Sequence, residues 1–186
     1  RGSGGPRTAV ELAGATSYWE VELVVVMRRR ATDTPAVNAW AHVAGLTIGQ
    51  DLSERALQLA GPLPQFSLGK SFSAYGPIGP WLVTPDELTD PDDLAIRCSL
   101  DGETVQESRT SQLIFSVADL IAQLSTVLTL LPGDLIFTGT PAGVGWAREP
   151  QRFLTPGQQL ISEIEGIGRL TTSFVASGAA SAVSTA

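Results

Sequence analysis

Three kinds of side chain are nearly missing from this 186-residue chain: it carries one cysteine, Cys98, one histidine, His42, and one lysine, Lys70. A single cysteine cannot form an intrachain disulfide or a cysteine-cluster zinc site, which fits a reducing compartment. A single histidine rules out any site built from several imidazoles. No apolar run is long enough to span a bilayer, and nothing at the start reads as a leader peptide, so a cytoplasmic protein without membrane contact is expected. Positive charge is scarce too. A formal net charge of -7 leaves no basic face for a phosphate backbone, which excludes nucleic acid as the main partner. The run Arg28 to Arg30 then reads as a solvated loop.

What is present fits one globular domain: 43% hydrophobic and 17% charged residues over this length can bury about two-thirds of the unfolded surface. The opening "RGSGGPR" lacks an initiator methionine, so residues 1–17 are expected to be a loop, the remnant of a longer N-terminal segment. Residues 18–175 are expected to form the domain, and 176–186, rich in small residues, a flexible tail. There is no internal repeat.

Residues 18–27, "YWEVELVVVM", read as one strand that becomes fully apolar along its length. A short helix is expected near Val37 to His42, then a strand after Gly45. "DLSERALQL" has the form of a helical turn or two, with Asp51 and Glu54 spaced as a capping box and Ser53 as a rival cap. Gly and Pro make residues 61–88 irregular, ending in the short strand "PWLVT". Asp101-Gly102 turns a hairpin, "SVADLIAQLSTVLTLLPGD" is the clearest helix, "DLIFTGTPAGVG" is a buried strand entering a glycine-rich turn, and a last hairpin turns at Gly166 to Gly168. Many strands and few helices predict an α+β fold dominated by β-structure.

Several residues could carry chemistry. Glu20 and Glu22, two apart on a strand, share a face with carboxylates about 6 to 7 Å apart. Buried, they raise each other's pKa or hold a cation such as Mg²⁺ between them; hydrated at a strand end, they do neither. Asp51 is either a helix cap paired with Arg55, or a third metal carboxylate with Arg55 and Gln58 beside it on one helical face. "TGTPAGVG" lacks the spacing of nucleotide loops. Its glycines either bring backbone N–H groups and the Thr140 hydroxyl to a carboxylate or simply make a tight turn. Glu163 and Glu165, beside a turn, read as surface, "DELTDPDDL" as a solvated loop, and His42 as a packed residue. The lone Lys70 in "SLGKSF" is either one stray basic residue on a surface loop or a position that uses a compact ammonium, which can point at a single oxygen as arginine's fork cannot.

In order, "WEVELVVV", "GQDLSERALQ", "GKSF", "GPWLVTPDEL", "DGETVQESRTSQLIFSV", "LLPGDLIFTGTPAGVG" and "IEGIGRL" resemble the fumarylacetoacetate hydrolase superfamily, from about Tyr18 to Phe174. They look most like its bacterial 2-hydroxyhepta-2,4-diene-1,7-dioate isomerases and acylpyruvate hydrolases. The resemblance implies a mixed β-roll or sandwich of the C-terminal-domain type, a homodimer, and a divalent cation, Mg²⁺ first, with Mn²⁺ or Ca²⁺ as alternatives. It implies Glu20, Glu22 and Asp51 as metal ligands and Lys70, Gln58 and Arg55 as catalytic candidates. Those three together with Thr140 are implied to bind substrate. The implied substrates are small 2-oxo or 2-hydroxy-dienoic acids, transformed by isomerisation, decarboxylation or C–C hydrolysis through a metal-stabilised enolate, in catabolism of aromatic compounds.

This chain departs from the pattern in having Gln50-Asp51 for Asn-Asp and Met27 for glycine. Hydrolytic relatives also draw a water-activating histidine from upstream of the Glu-x-Glu strand, and no histidine precedes Glu20. A relative that keeps the fold and metal site but binds its ligand without turnover is therefore the alternative.

Overall fold

The computed structural model describes residues 7–178. Two sheets form its body. The larger has the strand order β1(Arg7–Glu11), β11(Gly168–Val175), β10(Gln159–Ile164), β7(Ala95–Leu100), β8(Glu103–Arg109), with β1 parallel to β11 and the rest antiparallel. The smaller runs β6(Ile78–Val83), β4(Val43–Gln50), β3(Val21–Met27), β9(Leu135–Phe137), all antiparallel. β2(Ser17–Tyr18) and β5(Ser53–Glu54) add a short ribbon beside it. The sheets meet over Leu23, Val25, Leu46 and Ile48 from one side and Cys98, Leu100, Leu160 and Leu170 from the other, all almost wholly buried. Each such side chain contributes on the order of 2 kcal/mol on leaving water. The fold is thus α+β and predominantly β.

Local chemistry explains the clear elements. In α2(Val117–Val127) the Ser116 hydroxyl accepts the Asp119 N–H and donates to its carboxylate, while Val117, Ile121 and Ser125 form the buried stripe. The β7–β8 turn places Asp101 at φ 50° and Gly102 at φ 87°, as a two-residue hairpin requires. The early helix is a 3-10 turn over Ala36–His42.

Three expectations need correction. Residues 7–11 are a strand, because the backbone of β1 finds a parallel partner in β11 and Val10 enters the core. The strand expected over 18–27 is broken at Trp19 and Glu20: the indole N–H turns to the Gly143 carbonyl, and the Glu20 N–H is taken by the Gln50 side chain. The helix after Asp51 is only α1(Arg55–Gln58); its cap is Glu54, and neither Asp51 nor Ser53 caps it through a side chain. Of the expected tail, residues 179–186 lie outside the described residues.

Candidate metal centre

Glu20, Glu22 and Asp51 converge. Each offers a carboxylate oxygen, and the three oxygens lie within 4.8 Å of one another. The antiparallel register of β3 and β4 is the cause, since Val21 pairs with Gln50 and so sets Glu20 and Glu22 on either side of the strand end that leads into Asp51. The Asp51 N–H donates to the Glu20 carbonyl at 2.9 Å and closes that corner. The spacing is tighter than a regular strand would give, because Glu20 lies in the break before β3.

Lys70 completes the cluster from the turn Leu68–Lys70. Its Nζ donates to Glu20 Oε2 at 2.9 Å and to Asp51 Oδ2 at 2.5 Å. Burial works to lower the Lys70 pKa, but the Asp51 and Glu20 carboxylates outweigh it and leave it raised. The cluster's charge is still uneven. Glu22, 4% exposed, has the Gly139 N–H at 2.8 Å as its hydrogen-bond donor. Burial, reinforced by the charges of Asp51 and Glu20, pushes its carboxyl up to about 7, although that N–H acts in the opposite direction. One ammonium facing three carboxylates, one of them desolvated, is a donor set that a divalent, oxygen-preferring cation fits. The all-oxygen ligands favour Mg²⁺, Mn²⁺ or Ca²⁺ over thiophilic metals.

Arg55 is not paired with Asp51. Its guanidinium stands 4.9 Å from the Tyr18 ring, 5.0 Å from Trp146 and 5.7 Å from Phe66, and donates to the Tyr18 hydroxyl. The shared helical face fails because Asp51 precedes a one-turn helix, with β5 in between. Gln58 is buried against Gly69, next to Lys70; its Nε2 donates weakly to the Phe66 carbonyl at 3.4 Å and its Oε1 has no partner among the described residues. The Thr140 hydroxyl donates to the Val21 carbonyl at 2.9 Å, so its hydrogen is already committed. Gly139, at φ 99°, does bring a backbone N–H to a carboxylate, and that carboxylate is Glu22. Glu163 is bonded to Arg169 and Glu165 lies near Arg109, both at the surface. His42 stays with its 3-10 turn, where its carbonyl accepts the Arg28 N–H.

Behind the turn 138–141 lies a cavity of about 250 Å³ lined by Leu23, Ile96, Leu113, Phe115 and Leu120. Leu23 alternates with Glu22 along β3, so this cavity opens on the face away from the carboxylates.

A profile of the fumarylacetoacetate hydrolase C-terminal domain matches residues 3–175. The chain belongs to the fumarylacetoacetate hydrolase family. Among relatives, the human protein named oxaloacetate tautomerase FAHD2A, mitochondrial, is 45% identical over 157 residues, which are 84% of this chain and 50% of that protein. Among solved structures, a candidate HpcE protein from Mycobacterium smegmatis is 59% identical with TM-score 0.89, over 92% of this chain and 63% of that one. The fumarylpyruvate hydrolase from Pseudomonas aeruginosa, in complex with Mn²⁺ and pyruvate, is 35% identical with TM-score 0.81, over 91% and 70%. The chain spans about half the length of the curated relatives it matches.

Two participants escaped the sequence reading. Gly139 was covered only by a general signal, the glycine-rich turn. Tyr18 had no signal, yet its phenol lies beside Arg55, and burial followed by the Glu20 charge raises its pKa above the usual phenol range.

Proposed function

We propose that this member of the fumarylacetoacetate hydrolase family is a divalent-metal-dependent enzyme acting on small 2-oxo or 2-hydroxy-dienoic acids. The observation that carries the reading is the convergence of Glu20, Glu22 and Asp51 within 4.8 Å, with Glu22 buried and paired with no cationic side chain among the described residues. A cation held by these carboxylates, Mg²⁺ in the first instance, supplies Lewis-acid polarisation of a substrate oxygen. The ammonium of Lys70, bonded to Glu20 and Asp51, is the group we assign to oppose negative charge growing on that oxygen. Arg55, held by three aromatic rings, orients the acid's carboxylate, and Gln58, whose buried carbonyl oxygen has no partner among the described residues, accepts from the enol hydroxyl of the substrate. Thr140 serves through its turn, since its hydroxyl hydrogen is bonded to Val21.

The reaction class we favour is proton transfer next to a keto group, the step common to isomerisation, decarboxylation and C–C cleavage. Support comes from the tautomerase named among the relatives and from the solved complex of a relative with Mn²⁺ and pyruvate. Ring-cleavage acids from aromatic catabolism form the second substrate arm. A homodimer is part of the proposal: Val37, Ile114 and Val127, 89%, 93% and 85% exposed, leave apolar surface that a second copy would cover. We place the protein in the cytoplasm on its single, buried Cys98; no helix among the described residues is long and apolar enough to cross a membrane.

The test is thermal unfolding in EDTA against Mg²⁺ and Mn²⁺, with turnover of oxaloacetate enol, acylpyruvates and 2-hydroxy-dienoic acids, for the wild-type chain and Glu20→Ala. Metal-dependent stabilisation and turnover that both vanish in the variant support the proposal. Stabilisation without turnover of any of these acids favours the non-catalytic alternative, and turnover retained by Glu20→Ala overturns the metal assignment.

A further inference from the structure

Of the three glutamine side chains buried in the described residues, two, Gln50 at 0% and Gln106 at 2% exposure, bond to the short stretch of backbone that carries the carboxylates. Gln50 Oε1 accepts the Glu20 N–H at 2.9 Å, while its Nε2 donates to Ser162 Oγ at 2.8 Å and, more weakly, to Cys98 Sγ at 3.4 Å. Gln106 Oε1 accepts the Val21 N–H at 3.1 Å. Its Nε2 donates to Thr140 Oγ1 at 2.8 Å and to the Pro141 carbonyl at 2.7 Å, and the Thr140 hydroxyl passes on to the Val21 carbonyl. Neither residue touches the carboxylate oxygens.

The ladder explains why side chains do this work. β9 pairs with β3 only from Val24 to Val26, and the chain then leaves as the turn 138–141. β2, which precedes β3 in the chain and pairs with β5, has already broken away at Trp19. Glu20 and Val21 therefore lie where regular strand pairing ends, and a buried, unpaired N–H costs about 1–3 kcal/mol. Burying two carboxamides to serve them is itself unfavourable unless every polar atom is satisfied, and here both oxygens and both nitrogens are. The two arms also reach different elements. Gln50 ties Glu20 to β7 and β10 of the larger sheet, and Gln106, on β8, ties Val21 to the turn whose Gly139 N–H holds Glu22. A register shift between Cys98 and Ser99 sets Gln106 opposite Cys98.

We infer that Gln50 and Gln106 are positioning residues that fix the backbone of Glu20 and Val21 so that the three carboxylates converge, with Gln106 linking that convergence to the turn 138–141. The inference rests on the metal reading above. Its consequence is that both carboxamides govern cation affinity beyond their contribution to stability.

The test uses Gln50→Met and Gln106→Met, which keep length and apolar bulk and remove the bonds. Mn²⁺ affinity is titrated by electron paramagnetic resonance, and unfolding is followed in EDTA. Ser125→Ala is the control: Ser125 is 1% exposed and its hydroxyl accepts the Thr34 N–H far from the centre. Positioning predicts a loss of Mn²⁺ affinity of roughly tenfold or more in each methionine variant, with none in the control at comparable destabilisation. Mn²⁺ affinity that stays within twofold of wild type while stability falls in EDTA makes the glutamines structural only and overturns the inference. If a methionine variant does not fold, the corresponding asparagine variant, which keeps a neutral carboxamide but draws it one methylene short of its partners, is read the same way. A wild-type chain that binds no Mn²⁺ overturns the metal reading itself, and is told apart because it needs no variant.

Discussion

Removing the cation should turn Glu22 into a pH-dependent weakness. The carboxyl, ordinarily near 4.5, sits at about 7 in the metal-free fold. Between those values the folded chain holds a proton that the unfolded chain has lost, so stability falls as pH rises through this window. The contribution is fully present below pH 4.5 and gone above pH 7. A difference of about 2.5 units corresponds to about 3 kcal/mol, and at 4% exposure solvent screening removes little of it. For a domain of this size that is a drop of roughly 6–12 °C in Tm. The assay is calorimetry in EDTA from pH 4 to 8 on wild type and Glu22→Gln. The wild-type minus variant difference isolates the one group, because the amide keeps the shape without the proton. With saturating Mg²⁺ the trend should reverse, since the ion needs the ionised carboxylate. A difference curve in EDTA that is flat between pH 4.5 and 7, or that rises, refutes the assignment of Glu22 as a carboxyl whose pKa burial raises.

Two further outcomes are expected. Lys70→Arg should keep Mn²⁺ affinity within about threefold while lowering turnover about a hundredfold, because a planar fork cannot occupy the point between Glu20 and Asp51; near-normal rates would show the lysine to be incidental. Gly143→Ala should cost about 3 kcal/mol or more in urea unfolding, since its Cβ would stand 2.2 Å from the Val105 carbonyl oxygen at φ 109°; a loss below about 1 kcal/mol would mean that the turn shifts freely.

Most of the fold was legible because its signals are local. Asp101-Gly102, Ser116 with Asp119, and the Pro-Gly stop after α2 each act within a few residues. The three carboxylates and Lys70 were legible as residues, but their convergence depends on strand register, which no local pattern states. Arg55 went to an aromatic box because Tyr18, Phe66 and Trp146 come from three distant parts of the chain. Gln106 had no readable signal at all, since a bulge at Val105 on β8 sets which cross-strand partner it faces. β1 was missed for the same reason: five residues with weak alternation become a strand only because β11 is there to receive them.

That last pairing bears on how the chain is made. β1 leaves the ribosome first among the described strands and stays unpaired until β11, the last of them, has followed. The larger sheet cannot be completed on a partly synthesised chain, whereas β3 and β4, with Glu20, Glu22 and Asp51 at their junction, can pair early. A nascent intermediate should therefore carry a formed carboxylate corner beneath an unfinished sheet, with the edge of β7 open to wrong partners until β10 follows.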